Sequence, residues 1–190
     1  MTTIVQTGDD VLRGMAEEVP LVSIKTPKIK AILKKMTTAL STAKDGVALA
    51  APQIGIPFRI FIVLKEYTEQ KTPKEIKEMQ EKKNSAISEK QVIDEGKTEV
   101  AIFINPKIAK ISKKKQTVKE GCLSVVGVFG AIERSEKITL EAYNEKGENF
   151  SRGASGLLAQ IFQHEMDHLN GVLFTDTAYD LEKIKVDIIK

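Results

Sequence analysis

Two histidines and a glutamate stand together in the segment HEMDH, at residues 164–168. His164 and His168 are four residues apart, which on a helix puts both imidazoles on one face with roughly 6 Å between their Cβ atoms. This spacing suits two ligands of one metal ion, and Glu165 beside the first ligand can reach a water on that ion. The chain contains 2 histidines, so this pair would use its whole supply of imidazole.

The residues around this pair also favour a metal site. Leu157, Ile161, His164, Glu165 and His168 follow one another at helical spacing, so the polar residues continue an apolar stripe. Burying such polar side chains without partners costs free energy, and a metal ion with its water removes that cost.

A third protein ligand is needed, because catalytic metal sites of this kind usually have three. Zincin-type proteases often take it from a downstream His or Glu, which here leaves Glu182 on a weakly predicted terminal helix. Cys122, the single cysteine, is the better candidate, although free cysteines are usually small buried hydrophobic residues. A zincin-like metallopeptidase remains the alternative interpretation of HEMDH alone.

The elements that must hold these residues are predicted from periodicity and from Pro and Gly positions. A helix with Thr26 as N-cap is predicted up to about Lys44, followed by a small-residue loop. The HEMDH helix is predicted over 155–169, ending before Asn170-Gly171. Strands are predicted at 59–64, at 101–106 where Pro106 should stop the strand, and within 120–132 and 137–150 with a turn at 144–147. A short final helix is predicted from about Tyr179, with Leu181, Ile184 and Ile188 on one face. Several strands packed as antiparallel or mixed sheets around a central metal-binding helix predict an α+β fold.

Two segments are unusually charged. Residues 65–98 hold many lysines and acids and few large apolar residues, which predicts a charged insertion in a single domain spanning 1–190. Residues 107–119 carry six lysines and no acid, and a solvated strand or hairpin face explains them better than a binding patch.

Composition excludes several classes of protein. The length of 190 residues suits one domain, and the net charge of +3 gives no general case for nucleic-acid or membrane binding. A single cysteine suits a reducing compartment, and no apolar run approaches the roughly 18 residues that span a bilayer. The N-terminal residues lack a secretory or transit pattern. We therefore expect a cytoplasmic protein.

Three motifs, in the same order, resemble those of the peptide deformylase family. They are GVALAAPQ at 46–53, EGCLS at 120–124 and QHEMDH at 163–168. The resemblance covers nearly the whole chain except 65–98. It implies a metal-dependent hydrolase that removes the formyl group from N-formylmethionine of newly made polypeptides, releasing formate. It also implies one divalent ion, typically Fe²⁺, with Zn²⁺ or Ni²⁺ able to replace it, and nascent peptides as partners, with a transient ribosome contact as a further expectation.

The resemblance also implies a role for each matching residue. Cys122, His164 and His168 would bind the metal, and Glu165 would be the general acid and base. Gln53 and the backbone N–H of Leu123 would stabilise the oxyanion. The peptide would lie along Gly46, Val47 and Ala48.

Some positions depart from the family's pattern or stay open. Ala48 stands where a glycine is usual, Pro52 where a threonine is frequent, and Gly8 where a proline is often found. These changes concern substrate range rather than the reaction, although a catalytically weak, peptide-binding relative is a further alternative. An apolar pocket for the methionine side chain has four candidates, which core packing explains equally well: Val47, Val118, Phe129 and Ile161.

Overall fold

The computed structural model describes residues 3–43, 45–68 and 98–184. This part of the chain forms three helices and eight strands, joined in places by short 3-10 turns. The helices are α1 (Pro27–Thr42), α2 (Lys65–Thr68) and α3 (Gly156–Leu169). The strands are β1 (Ala48–Ala50), β2 (Ile60–Leu64), β3 (Val100–Ile111), β4 (Lys115–Cys122), β5 (Val125–Ser135), β6 (Lys137–Tyr143), β7 (Asn149–Ser155) and β8 (Tyr179–Lys183).

The strands form two sheets. The larger sheet has the order β1-β2-β3-β6-β7 and the smaller has the order β4-β5-β8. All pairings between these strands are antiparallel. The α+β fold class predicted from the sequence is therefore confirmed, with antiparallel sheets.

The larger sheet is covered by a helix on each face. Successive side chains of a strand point to opposite faces, and on β2 Phe61 packs in the cluster with α3 while Ile60 and Ile62 pack in the cluster with α1. The α3 side is rich in aromatic contacts, with Phe61 stacked on Phe103 at 4.6 Å between ring centroids and Phe103 at 5.0 Å from Phe162. Helix α3 is therefore fixed against the sheet along its apolar face.

A third buried cluster holds the smaller sheet. Val125 and Ile132 of β5 pack with Leu12 near the N-terminus and with Leu173 and Phe174 after α3. This cluster fixes the end of β4 and the start of β5 relative to the C-terminal end of α3. The two elements that carry the predicted ligands are thus joined through the core.

The prediction that Pro106 ends a strand is wrong, because β3 continues to Ile111. A shift in register lies between Ile104 and Lys107, and Asn105 has a positive φ of 51°. A bulge of this kind leaves a residue outside the ladder, so proline costs no hydrogen bond there. The Asn105 side chain fixes the bulge by bonding to both backbone groups of Val19.

The predicted final helix is also wrong over the residues that the structure describes. Tyr179–Lys183 is a strand that pairs with β5, with Phe129 opposite Glu182. Pairing to an existing sheet edge overrides the local helical spacing of Leu181 and Ile184. Ile188 lies outside the described residues.

The other predicted boundaries agree with the structure within a few residues. Helix α1 ends at Thr42, and Lys44 lies outside the described residues. The loop predicted over 46–57 is wrong at Ala48–Ala50, which form β1 by pairing with β2, and a 3-10 turn follows at Ala51–Ile54. The proposed insertion begins with helix α2, and its residues 69–97 lie outside the described part, so both the insertion and the single-domain organisation stay predictions. No helix in the ranges that the structure describes is long and apolar enough to span a membrane.

Candidate metal centre

Helix α3 and the turn after β4 bring three possible ligands together. His164 and His168 lie one turn apart on α3, with 4.9 Å between ring centroids. Sγ of Cys122 is 3.2 Å from Nε2 of His168. One ligand atom from each of Cys122, His164 and His168 lies within 4.8 Å of the others. Two imidazoles and a thiolate at these separations suit a single transition-metal ion.

The position of Cys122 follows from the hairpin between β4 and β5. Cys122 is the last residue of β4 and pairs with Val125, so Leu123 and Ser124 form a tight turn. The Ser124 backbone N–H donates to Sγ of Cys122 at 3.4 Å, and Nε2 of Gln53 lies 3.6 Å from the same sulfur. Both donors stabilise negative charge on the sulfur, which a metal-binding thiolate carries.

His164 is oriented by a buried carboxylate. Its Nδ1 lies 2.9 Å from Oε2 of Glu120, a residue only 5% exposed. With Nδ1 bonded to the carboxylate, Nε2 is the nitrogen left to face an ion. A carboxylate behind a histidine ligand fixes the ring and raises its basicity. The glutamate of the EGCLS motif therefore has a positioning role that sequence analysis did not assign.

Glu120 is in turn held by Arg134 of β5. The guanidinium binds both carboxylate oxygens, with Nε–Oε1 at 2.8 Å and Nη2–Oε2 at 2.9 Å, and its Nη1 reaches Oδ2 of Asp167 at 2.6 Å. Burial raises the pKa of Glu120, but the bonds to Arg134 and His164 outweigh it and lower that pKa to about 2. Arg134 therefore connects the EGCLS turn to the HEMDH helix through Asp167.

Sequence analysis missed both Arg134 and Asp167. A signal existed at Arg134, because it is two residues from the buried Ile132 and therefore shares its face of β5. An arginine on a buried strand face needs a carboxylate partner. The sequence did not indicate which carboxylates would be near it.

The two histidines differ in how readily they bind a proton. Burial lowers the pKa of His164, but its bonds to Cys122 and Glu120 outweigh this and raise it well above the ordinary value. Burial lowers the pKa of His168 well below the ordinary value, which keeps that ring neutral. An ion binds neutral imidazole, so it would compete with a proton at His164 and not at His168.

Glu165 is the candidate proton carrier beside these ligands. Its side chain is 3% exposed, and its Oε2 has no hydrogen-bond partner among the described residues. Burial raises its pKa to about 7. A carboxyl group with that pKa can accept and return a proton near neutral pH. Its unpaired oxygen in a buried site fits a position beside an ion and its water.

Gln53 is fixed with its amide nitrogen towards the same cluster. The Ala50 N–H donates to Oε1 of Gln53 at 2.8 Å, and Nε2 of Gln53 donates to Oγ of Ser124 at 3.2 Å. The side chain is 2% exposed, so this orientation is locked by packing as well as by bonds. Leu123 lies in the tight turn next to Cys122, which places its backbone N–H close to the same cluster.

The segment predicted to bind the peptide lies at one edge of the larger sheet. A Cβ added to Gly46 would come within 2.8 Å of Leu40 Cδ1 and 3.1 Å of Leu123 Cδ1, so the backbone approaches these side chains closely. Ala48 is 6% exposed and packs in the α3-side cluster, which places its methyl group in the core. Val47 is half-buried against the same cluster.

The other residues named from the sequence are three candidates for the methionine pocket and the alternative ligand Glu182, and each makes packing contacts or an ion pair. Ile161 is a core residue of α3, and Val118 packs against the third cluster. The Phe129 ring covers Gly121, whose added Cβ would lie 2.6 Å from it. Glu182, the alternative third ligand, lies on β8 in an ion pair with Lys119 and is not part of the Cys–His–His group.

Comparison with known proteins identifies the family of this chain. Residues 1–184 match the family described as Polypeptide deformylase. The chain belongs to the polypeptide deformylase family. This confirms the resemblance stated from the three motifs. The family is metal-dependent, which agrees with the Cys–His–His group.

Two curated relatives show the range of similarity. The peptide deformylase of Desulforudis audaxviator is 32% identical over 182 residues, covering 96% of this chain and 96% of the relative. Peptide deformylase 1A of Arabidopsis thaliana, named chloroplastic/mitochondrial, is 37% identical over 91% of this chain. This chain spans 60% of the Arabidopsis protein and 59% of its tomato counterpart.

Solved structures support the same fold. A peptide deformylase from Thermotoga maritima has a TM-score of 0.70 and 32% identity, covering 94% of this chain and 98% of that one. A peptide deformylase from Acinetobacter baumannii with bound Met-Ala-Ser has a TM-score of 0.70 and 27% identity, covering 92% of this chain and 97% of that one.

Proposed function

We propose that this protein hydrolyses the N-formyl group from N-formylmethionine at the start of newly made polypeptides and releases formate. The observation that carries this proposal is the meeting of Cys122, His164 and His168 beside the buried carboxyl group of Glu165. Membership of the polypeptide deformylase family supplies the substrate class.

Fe²⁺ is the ion that the family resemblance implies, and Zn²⁺ and Ni²⁺ are the alternatives. One thiolate and two imidazoles suit these softer transition metals rather than Mg²⁺ or Ca²⁺. Such a cation supplies Lewis acidity and lowers the pKa of a bound water from 15.7 towards about 7. Glu120 holds His164 in the orientation that this ligand set needs.

Glu165 is proposed to move the protons of the reaction. Its carboxylate takes a proton from the attacking water and delivers it to the leaving amine of the methionine residue. The pKa of about 7 that burial produces suits both steps, because neither form is strongly favoured at neutral pH. A nearby cation would lower this pKa and enlarge the fraction of the base form.

Gln53 and Leu123 are proposed to stabilise the negative oxygen that develops on the formyl group. The bonds from Ala50 and to Ser124 hold the Gln53 amide in place before substrate arrives, so little reorganisation is needed. Removing one such donor typically raises the barrier by about 3 kcal/mol. The Leu123 backbone N–H is held by the tight turn after Cys122.

The peptide is proposed to bind along Gly46, Val47 and Ala48. Strand β1 is at the end of the strand order of the larger sheet, so one side of it has no strand partner among the described residues. A sheet edge of this kind accepts an extended peptide as an added strand. The A. baumannii relative binds Met-Ala-Ser, which supports a peptide beginning with methionine as the ligand here.

The direct test is formate release from formyl-Met-Ala-Ser under anaerobic conditions with metal supplied. Glu165→Gln should keep stoichiometric metal and lose about 100- to 10,000-fold in rate, because it removes general acid–base catalysis. Acetyl-Met-Ala-Ser is the matched control substrate. Cleavage of internal peptide bonds would instead favour a zincin-like peptidase, and tight peptide binding without formate release would favour a catalytically weak relative.

The cellular location and a contact with the ribosome are also proposals. A cytoplasmic location is supported by the single cysteine, although the plant relatives are named for organelles. A transient ribosome contact follows only from the nature of the substrate.

A further inference from the structure

The solvent face of α1 is uniformly basic. Four lysines are exposed on this helix, namely Lys28, Lys30, Lys34 and Lys35. With 3.6 residues per turn they fall within an arc of about 160°. The sequence contains no aspartate or glutamate from residue 19 to residue 44. This face therefore concentrates positive charge that the weak net charge of the whole chain does not reveal.

The opposite face of α1 packs into the hydrophobic core. Ile29, Ile32, Leu33, Met36 and Leu40 are buried against the larger sheet. The helix is therefore held rigidly, and the lysines need not order a flexible segment when they bind a partner. Core packing explains the apolar face of α1, but it does not require four lysines on the solvent face.

Most lysines of the 107–119 segment are paired with acids. Of its six lysines, all but Lys110 and Lys113 lie within 4.0 Å of a glutamate oxygen: Lys107, Lys114, Lys115 and Lys119. Across the ranges that the structure describes, the four lysines of α1 form no ion pair. Lys28 lies over the Phe58 ring, 5.4 Å from its centroid. Within the described ranges, the positive charge of the α1 face is therefore not neutralised by neighbouring carboxylates.

Exposed apolar side chains stand directly before this helix. Val22 is 90% exposed and Leu21 is 54% exposed. They belong to a 3-10 turn, Leu21–Ser23, only four residues before α1 begins. Consecutive Cα atoms are 3.8 Å apart, so Val22 lies at most about 23 Å from Lys28 along the chain. Single exposed apolar residues are common on protein surfaces, but here two neighbouring ones stand beside a face of unpaired lysines, and that combination suits a partner that is both anionic and apolar.

We propose that α1 and the turn at Leu21–Ser23 dock this protein on an anionic phospholipid surface. Lysines attract anionic headgroups, and the two apolar side chains enter the boundary between headgroups and acyl chains. Structured RNA is the less suitable anion, because its phosphates and hydroxyls offer no apolar surface to Leu21 and Val22. Single-stranded RNA is less suitable because residues 19–43 contain no arginine and no aromatic residue on which bases could stack. The interaction is peripheral and reversible, and it places no segment across the bilayer.

The test measures partition of the full-length protein onto sedimented vesicles. With 30% phosphatidylglycerol in phosphatidylcholine we expect binding at 0.1 M salt that is lost at 1 M salt, because the Debye length falls from about 10 Å to about 3 Å. Lys30→Gln with Lys34→Gln should weaken partition about 30-fold, at roughly fivefold per lysine. The control is Lys110→Gln with Lys113→Gln, which removes equal charge from exposed lysines elsewhere and should change partition less than twofold.

Val22→Ser separates lipid insertion from simple charge attraction. It should weaken partition about fivefold without changing charge, and should leave binding to a 20-base-pair RNA duplex unchanged. Urea midpoints equal to that of the parent would show that each variant folds. Three results would each overturn the proposal: equal binding to pure phosphatidylcholine, no effect of the α1 double variant, or no effect of Val22→Ser. So would RNA binding that depends on α1 without any vesicle binding.

Discussion

Arg134 offers the sharpest test of how the candidate site is held together. Its guanidinium makes a two-pronged bond to Glu120 and a third contact to Asp167, and Arg134 and Glu120 are 7% and 5% exposed. Removing one partner of a buried ion pair typically costs 3–5 kcal/mol, because the other charge is left without compensation. We therefore expect Arg134→Met to lower the free energy of unfolding by about 4 kcal/mol in metal-free protein at pH 7.

The chain contains a matched control for this prediction. Arg13 makes the same two-pronged bond to Asp176, with distances of 2.6 and 3.1 Å, but the two side chains are 48% and 35% exposed. Exposed pairs contribute about 0–1 kcal/mol, so Arg13→Met should change stability only slightly. Urea unfolding followed by circular dichroism measures both values. A loss for Arg13→Met as large as that for Arg134→Met would refute the reasoning.

A double variant tests whether uncompensated charge is the cause. Adding Glu120→Met to Arg134→Met removes the buried carboxylate and should recover part of the lost stability. Arg134→Met should also weaken metal binding about 10- to 100-fold, because Glu120 would no longer hold His164 firmly. Arg13→Met should leave metal affinity unchanged. No recovery in the double variant would indicate that lost packing, rather than charge, dominates.

Three further predictions concern Glu120, His164 and Gly46. Because the pKa of Glu120 is lowered from 4.5 to about 2 in the folded protein, it stabilises the fold above pH 4.5 by about 3 kcal/mol. That stability is lost as pH falls towards 2. In Glu120→Gln, the free energy of unfolding measured with urea should therefore fall less steeply between pH 5 and 2. An unchanged dependence of this free energy on pH would contradict the prediction. Because the pKa of His164 is raised, ion binding should release protons near neutral pH. Calorimetry in two buffers of different ionisation enthalpy should then give different heats, whereas identical heats would argue against it. Gly46→Ala should destabilise the fold by about 1–3 kcal/mol, because the new methyl group meets Leu40 and Leu123, and an unaltered urea midpoint would show that these side chains yield freely.

Much of the candidate site was predictable because it depends on local spacing. The four-residue interval between His164 and His168 fixes their common face once the helix is predicted, and the structure has that helix at Gly156–Leu169. Cys122 was preferred to Glu182 as the third ligand because the chain has no third histidine and its single cysteine lies within EGCLS, in an otherwise apolar strand region. Its distance of 3.2 Å from His168 agrees with that prediction, and the metal-binding role itself stays a prediction.

The parts that were missed depend on tertiary contacts. The contact of Arg134 with Glu120 and Asp167 joins residues 14 and 33 positions apart in the sequence, which local patterns do not register. Tyr179–Lys183 forms a strand because β5 offers an edge, and its own sequence has helical spacing. Pro106 is tolerated within β3 because of a bulge that Asn105 stabilises through Val19.

The Cys122, His164 and His168 group is predicted to bind one divalent ion through a single sulfur and two imidazoles. X-ray absorption at the metal edge of anaerobically prepared, metal-loaded protein tests it most directly. The structure predicts one sulfur and two histidine nitrogens in the innermost shell, with the sulfur lost in Cys122→Ser. A shell of only nitrogen and oxygen in the parent protein would contradict the claim.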